Sequence, residues 1–502
     1  MVASSNTTDA HTFTRDQLVI ILDHCLGKTL GEVDVKRVFD KTVTNPKITG
    51  IAGMVIEQSV LGYPADSRQE PDLVVDGEYI ELKTTGIRYA KKKDSPAYEA
   101  KEPMSITAVS PDKIVSEQFS GSNFWHKLAK LLMVFYLYQS DSVVPAAEYA
   151  NFPIKGYRFH EFDEQDRDIL RQDWLLVQNF IQTLQRDYND YKSQYPRLSS
   201  ELRDKLLYID TAPKWPNPPR FRLKRSVVST IVQQHFGNKL EQLPHKYTSF
   251  DEIDDQCRTY TMRYKGWTID EMAHDLGVSL DKYNKSIVEQ LIVRMFGGHA
   301  KKMQKIELFS KIGLLAKSVV LTPKGRPSED MKLFSIDFDE IQDIDITFEN
   351  SSFYDYFANR QFLYIVFTED TVNAPLGEVH FMGFKRYSFS DDFINNEVRP
   401  VWERIRDLII NKKLKDVVEL DKKGNPVINK KSGTVRSAPN FPKSSESLVF
   451  VRGTGTDASK KPLEINGVRM LKQNLWLARE LTISVLKTLP SHRGIRLRLC
   501  SA

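Results

Sequence analysis

The sequence predicts an α/β protein of two successive halves built to one plan, each a mixed central sheet flanked by helices. Three observations carry that expectation. Apolar and polar residues alternate over residues 72–76 and 78–85, the period of half-buried strands. Helical spacing dominates elsewhere, above all from Gln165 to Tyr191, where Leu170, Trp174, Leu175, Val177, Phe180 and Leu184 form an apolar stripe. The order of helix, strand pair, buried strand and long helix also occurs twice, in a chain of 502 residues that is too long for one ordinary core.

Taken in order, Arg15 to Leu30 reads as an opening helix, with Leu18, Ile21, Leu22 and Cys25 at helical spacing, and Ala52 to Leu61 as a second. Strands at 72–76 and 78–85 precede another at Met104 to Val109. Pro111 to Lys130 reads as helical and runs into a buried strand, Leu131 to Tyr138. Beyond the long helix, short strands at Leu206 to Ile209 and Arg220 to Lys224 are separated by a Pro-rich loop. Periodicity fades between Asn238 and Arg263, so the expected division is 1–240, a linker at 241–265, and 266–502. The second half offers a helix (Leu280 to Phe296), a strand pair (306–309 and 313–321), a buried strand (Phe362 to Phe367) and a long helix (Asp391 to Ile410). A strand (Leu448 to Arg452) and a final helix (Leu471 to Lys487) end the pattern. Between these lies a charged insertion, Asn411 to Glu446, of which 417–446 is rich in Lys, Gly, Ser, Pro and Asn and reads as a mobile loop.

Composition narrows the function classes. Hydrophobic residues at 41% and charged residues at 27% suit a globular protein. A net charge of +5, from 71 basic and 66 acidic residues, does not by itself argue for nucleic acid. Its distribution matters more: Lys91-Lys92-Lys93, Lys412-Lys413-Leu414-Lys415, Lys430-Lys431 and Arg493, Arg496 and Arg498 are local basic patches, for which solvated loops are the plainer reading. Cys25, Cys257 and Cys500 have no paired spacing, which disfavours a disulfide framework or a zinc site and fits a cytoplasmic location. No apolar run approaches the ~20 residues of a membrane span, and the polar N-terminus lacks a secretory pattern.

The chemistry concentrates between Glu57 and Lys83. In Pro71-Asp72-Leu73-Val74-Val75-Asp76-Gly77-Glu78-Tyr79-Ile80-Glu81-Leu82-Lys83, the Asp76-Gly77 pair between β-formers predicts a two-residue hairpin turn. That turn sets Val75 opposite Glu78, Leu73 opposite Ile80 and Asp72 opposite Glu81. Alternation then places Asp72, Glu81 and Lys83 on one face and Leu73, Val75, Ile80 and Leu82 on the core face. Two facing carboxylates repel one another, and a divalent cation with hard oxygen ligands, magnesium above all, removes that repulsion. Lys83 reaches the same space, where it could orient or help deprotonate an attacking water. Glu57, on the preceding helix, could turn toward the strands. A surface hairpin with scattered charges is the plainer alternative.

These residues resemble a known family. Gly53-Met54-Val55-Ile56-Glu57, Pro71-Asp72 and Glu81-Leu82-Lys83-Thr84 are similar to the MutH-type branch of the PD-(D/E)xK nucleases. The whole chain resembles the GATC-cutting type II restriction endonucleases built from two tandem MutH-like halves. Further matches are Phe124-Trp125-His126-Lys127, Tyr208-Ile209 with Arg220-Phe221-Arg222-Leu223-Lys224, and Asn440-Phe441-Pro442-Lys443 ahead of Phe450-Val451-Arg452. The resemblance implies restriction-endonuclease-like folds, Mg2+ held by Asp72, Glu81 and the Leu82 carbonyl, Lys83 catalytic, Glu57 accessory and Lys127 supporting the phosphate. It also implies cleavage of both strands of GATC, before the G, and a cognate DNA methyltransferase as a genetic partner only. Thr49 stands where the family has a lysine before the glycine matched by Gly50; Lys47 is the candidate replacement.

In the second half, Ile306-Glu307-Leu308 aligns with Pro71-Asp72-Leu73 and Leu315-Ala316-Lys317 with Glu81-Leu82-Lys83. The lysine persists but a leucine takes the place of the carboxylate, so this copy is expected to be catalytically degenerate. It would cover the other half-site of a palindrome or bind a second, regulatory site, and the sequence does not choose between these. Candidate DNA contacts are Lys47, then Lys214, Arg220, Arg222 and Lys224, interleaved with Trp215 and Phe221, then Arg452, Lys460, Lys461 and Arg469. A monomer is expected, with dimerisation or looping on DNA left open. A strand-nicking repair endonuclease and a non-catalytic GATC-binding regulator remain the alternatives.

Overall fold

In the computed structural model, φ is 51° at Asp76 and 86° at Gly77, the two left-handed conformations a type I′ turn requires. The strands on either side pair as that turn dictates: Leu73 with Ile80, Val74 with Tyr79 and Val75 with Glu78. The structure describes residues 11–64, 70–90, 98–140, 144–212, 219–280, 286–421, 423–429, 433–455, 457 and 460–486. These form two compact units. The first takes in the chain up to Ser140, Val144–Asp254 and the later segment Phe296–Gly313; the second takes in Asp255–Met295 and the chain from Leu314 onward.

In the first unit the strands are β1 (Thr12–Phe13), β2 (Leu73–Val75), β3 (Glu78–Tyr89), β4 (Tyr98–Ala100), β5 (Met104–Ala108), β6 (Lys130–Leu137), β7 (Ile154–Glu161), β8 (Ile209–Asp210) and β9 (Arg220–Leu223). A mixed sheet has the order β1-β2-β3-β6-β7, with β4 also on β3, and a second sheet has the order β5-β9-β8. β6 is buried from Leu131 to Leu137, between a parallel neighbour, β3, and an antiparallel one, β7. Burial on both faces explains its unbroken apolar run. Leu18, Leu22, Val55 and Ile56 from the two N-terminal helical segments pack with Leu73, Val75, Ile80, Leu82, Leu132 and Val134 in one core.

The helix Glu164–Asp187 is capped by Asp163 and buries Ile169, Leu170, Trp174, Val177, Ile181 and Leu184. Its Asp173 carboxylate accepts the amides of Leu207, Tyr208 and Ile209 at 2.8, 2.7 and 3.1 Å, which anchors β8. Burial raises Asp173 to about 6, against the opposing pull of those amides and Lys224.

The second unit carries β10 (Leu314–Leu321), β11 (Met331–Ser335), β12 (Gln361–Thr368), β13 (His380–Tyr387), β14 (Asp416–Val418), β15 (Ser437–Pro439), β16 (Val449–Thr454), β17 (Leu463–Ile465), β18 (Val468–Met470) and β19 (Lys472–Leu477). Its sheets repeat the plan of the first unit. β10-β12-β13 has the parallel-then-antiparallel pairing of β3-β6-β7, and β11-β19-β16 matches β5-β9-β8 in order and direction. The helical stretch from Asp391 to Ile410, with a π-helical middle, occupies the place of Glu164–Asp187.

Several expectations need correction. Pro111 to Lys130 is not one helix: Gly121 ends a 3-10 turn, and Ser122, in extended backbone, starts a new helix, Asn123–Leu128. Residues 306–309 are not a strand. Glu307–Lys311 is a helical turn closed by an i,i+4 ion pair at 2.8 Å, and it belongs to the first unit. The segment expected as a linker contains the helix Phe250–Tyr264, where Phe250, Ile253, Cys257 and Tyr264 are buried at helical spacing beneath a highly charged surface. Leu471 to Lys487 is not one helix, because Lys472–Leu477 is the central strand of its sheet and only Arg479–Leu486 is helical. Within the segment 417–446, expected as a loop, the described residues include paired ones: β14 pairs with β15, and single bridges join Leu420 to Pro426 and Ile428 to Val435.

Candidate active site

The first-unit hairpin brings Asp72, Glu81 and Lys83 together as the alternation predicts. Asp72 Oδ2 accepts the Leu82 amide at 3.0 Å, which holds its carboxylate against β3. Glu81, only 2% exposed, accepts from Lys83 Nζ at 2.6 Å. Lys127 Nζ stands 3.3 and 3.2 Å from its two oxygens. Lys127 arrives from the last turn of Asn123–Leu128. That helix is fixed by Ser122, whose Oγ accepts the Trp125 amide at 3.2 Å and donates to the Phe119 carbonyl at 2.7 Å.

The electrostatics follow from this packing. Burial, and then the charge of Glu81, raise the Asp72 carboxyl above the usual aspartate range, while Lys83, Lys127 and the Leu82 amide oppose them. Two lysines compensate a buried glutamate, and a second carboxylate beside it has its proton affinity raised. Such a pair suits a divalent cation. The donors are hard oxygens, and magnesium is commonly held by one or two carboxylates with the remainder supplied by substrate phosphate and water. Among the described residues no cluster of three or more His, Cys, Asp or Glu is arranged around a metal position. Glu57 lies on the π-helical turn Ile56–Val60.

Two supports have no signal in sequence spacing. His11 Nδ1 lies 2.8 Å from the Asp72 carbonyl, across 61 residues of chain. Thr12 and Phe13 pair in parallel with Val74 and Val75, so the segment ahead of the first helix clamps the hairpin. His126 Nε2 meets Glu70 Oε2 at 2.8 Å and its ring packs against Tyr79, tying the Lys127 helix to β3 and to the segment ahead of β2. Both contacts depend on tertiary placement.

The expected DNA contacts differ in exposure and pairing. Lys47 is exposed just before the helix Ile51–Val55, and Arg220 and Lys460 are exposed. Arg222 is held by Asp210 at 2.8 and 3.1 Å, Arg452 by Asp330 at 2.7 Å, and Lys461 by Asp416 at 3.0 Å. Lys224, expected at the surface, is buried at the N-cap position of the helix Arg225–His235, where its amide donates to the Tyr208 carbonyl and its Nζ to the Leu206 carbonyl. Arg469 pairs loosely with Glu464 at 3.8 Å. Lys214, Trp215, Lys91 to Lys93, Lys430-Lys431 and the C-terminal arginines lie outside the described residues.

In the second unit the place of Glu81 and Lys83 is taken by Leu315, which packs against the core, and Lys317. The capped helix repeats closely: Ser351 Oγ accepts the Tyr354 amide at 3.2 Å and donates to the Phe348 carbonyl at 2.6 Å. Five residues beyond each cap stand Lys127 in one unit and Tyr356 in the other. Glu307 is not the partner of this site. It sits on the first unit's helical turn with Lys311, whose Nζ also holds both oxygens of Asp166 at 2.7 Å.

The family model described as the DNA mismatch repair enzyme MutH matches residues 61–173, the stretch that contains Asp72, Glu81, Lys83 and Lys127. The "Type II restriction enzyme Sau3AI" of Staphylococcus aureus is 24% identical over 461 residues, covering 83% of this chain and 88% of that protein. No helix among the described residues is long and apolar enough to cross a membrane. The chain therefore carries a MutH family domain in its first half and is, over most of its length, a homologue of a type II restriction enzyme.

Proposed function

We propose that the protein is a Mg2+-dependent type II restriction endonuclease that cuts both strands of GATC in duplex DNA, 5′ of the G, from a single centre per chain. The observation that carries this reading is the constellation of Asp72, Glu81 and Lys83 at the hairpin with Lys127 from the helix Asn123–Leu128, inside the stretch matched by the MutH family model. Asp72, Glu81 and the Leu82 carbonyl would hold the metal. When bound, the ion supplies positive charge to the scissile phosphate and acidifies a coordinated water. The chain's own residues do the positioning. Lys83, already held by Glu81, orients the attacking water, whose oxygen bonds to phosphorus as one backbone P–O bond breaks. Lys127 adds a fixed cation on the phosphate side, where preorganised charge stabilises the transition state.

Leu315 and Tyr356 support a second unit without a metal centre, so that unit would bind DNA and not cut it. Methylation-free plasmid incubated with protein and Mg2+ tests the reading, with Asp72→Ala run alongside. Discrete fragments with GATC at their ends, absent with the variant, are expected. Open circles alone would indicate a strand-nicking enzyme and unchanged plasmid a regulator. Equal cutting by Asp72→Ala would remove the site assignment.

A further inference from the structure

The ribbon between the second unit's long helix and β16 has no counterpart in the first unit. There, the corresponding stretch forms short helical turns, Lys192–Gln194 and Arg197–Glu201, with Leu198, Leu202 and Leu206 buried. In the second unit the chain instead leaves the core. Beyond β14 and β15, Leu420 pairs with Pro426 and Ile428 with Val435, and the amides of Glu419, Val427 and Arg436 are bonded within the ribbon.

Its composition is unusual in two ways. Nine basic and three acidic residues lie between Lys412 and Lys443, a surplus of six where the whole chain has a surplus of five. The rest of the protein is therefore slightly acidic, and this excursion holds the entire positive excess. Val417, Val418, Leu420, Ile428 and Val435 are also 39–57% exposed. A narrow ribbon of this kind gains little stability from its own burial in water, and its exposed apolar side chains gain from a covering partner.

The root, by contrast, is firmly held. Asn440 accepts the Lys415 amide at 2.9 Å and donates to the Lys413 carbonyl at 3.2 Å. Lys461 bridges Asp416 and Ser437 at 3.0 and 2.7 Å. Lys461, expected to touch DNA, thus braces the ribbon. Lys412, Lys415, Lys423 and Lys443 are exposed, with no ion pair shown among the described residues.

We propose that this ribbon is a DNA-binding arm of the second unit, its lysines on phosphates and its apolar edge in the groove of a duplex. The charge surplus matches a polyanion, and the major groove admits a two-stranded ribbon. The inference rests on the nuclease reading above and adds a surface that reading does not use.

The test uses the full chain, a fluorescent duplex containing GATC, and Ca2+ in place of Mg2+, with anisotropy followed across KCl concentrations. The variant Lys412→Gln/Lys415→Gln/Lys423→Gln should bind at least about tenfold more weakly at low salt. Its log K against log[KCl] slope should be shallower by about two to three, since each released phosphate contact contributes about 0.9. The single-turnover cutting rate at saturating DNA should not change. If wild type binds and cuts GATC duplex while the variant keeps its affinity and slope, the arm is overturned and the nuclease reading stands. If wild type neither binds nor cuts, the nuclease reading itself fails. A dimer in sedimentation without DNA that dissociates on Leu420→Ser/Ile428→Ser would place the ribbon between copies of the chain and also overturn the proposal.

Discussion

The first unit presents Glu81, Lys83 and Lys127 where the second presents Leu315, Lys317 and Tyr356, on strands and capped helices that otherwise match. The difference separates the charges from the fold. The sheet order, the parallel pairing and the serine cap persist without them, so the acidic cluster is not what makes the fold. The lysine that persists, Lys317, has different neighbours. Lys317 Nζ meets the Lys332 carbonyl at 3.1 Å, and burial, weakly opposed by Glu289, lowers it to about 8.

The largest expected effect tests the comparison at its core. Asp72→Asn should slow cleavage roughly a thousandfold, the scale of removing a preorganised charge-stabilising group. Lys317→Met should leave single-turnover cutting at saturating DNA unchanged. A large loss from Lys317→Met would make the second site catalytic and dissolve the contrast.

Next comes stability. Asp166 and Lys311 are a buried ion pair that fastens the late segment Phe296–Gly313 into the first unit, with the Tyr208 hydroxyl donating to Asp166 at 2.8 Å. Lys311→Met should cost about 3–5 kcal/mol in urea unfolding, because it leaves a buried carboxylate without its cation. A cost within about 0.5 kcal/mol, typical of a surface site, would mean that the segment is not held this way.

A smaller effect belongs to the clamp on Asp72. His11→Ala should weaken apparent Mg2+ affinity by about 10–100-fold, the usual cost of losing an outer-shell partner, with the rate at saturating Mg2+ retained. An equal fall in rate at all Mg2+ concentrations would point to general disruption instead.

The smallest is a titration. Lys317, labelled by reductive methylation, should show an NMR midpoint near pH 8 that disappears in Lys317→Arg. Folding lowers this group's proton affinity, so its contribution to stability is absent below about 8. It grows as pH rises and is complete near the ordinary lysine value of about 10.4.

Much of this was legible in the sequence where local chemistry decides the outcome. Asp76-Gly77 dictated the hairpin and its register, and with them the shared face of Asp72, Glu81 and Lys83. The buried strands β6 and β12 and the helix Glu164–Asp187 announced themselves by length and period. Where tertiary pairing decides, the reading failed. Lys472 to Leu477 has no strand alternation to set it apart from the helix that follows, and only its place between β11 and β16 makes it a strand. Ile306 to Phe309 looked like a copy of the first hairpin because a glutamate sat at the matching position. In the fold that glutamate serves Lys311. Lys224 looked like part of a basic loop, but it stands at the start of the helix Arg225–His235 and is buried against the Leu206 carbonyl. His11 and Glu70 reach the site from segments whose composition gives no hint of it.

The central claim is that the duplicated fold holds one metal centre, in the first unit. Mn2+ bound to the full chain on a non-cleavable GATC duplex can be counted by electron paramagnetic resonance. The account predicts one protein-dependent site per chain, lost in Asp72→Asn and retained in Lys317→Met. Two such sites per chain, or one that survives Asp72→Asn, would contradict it.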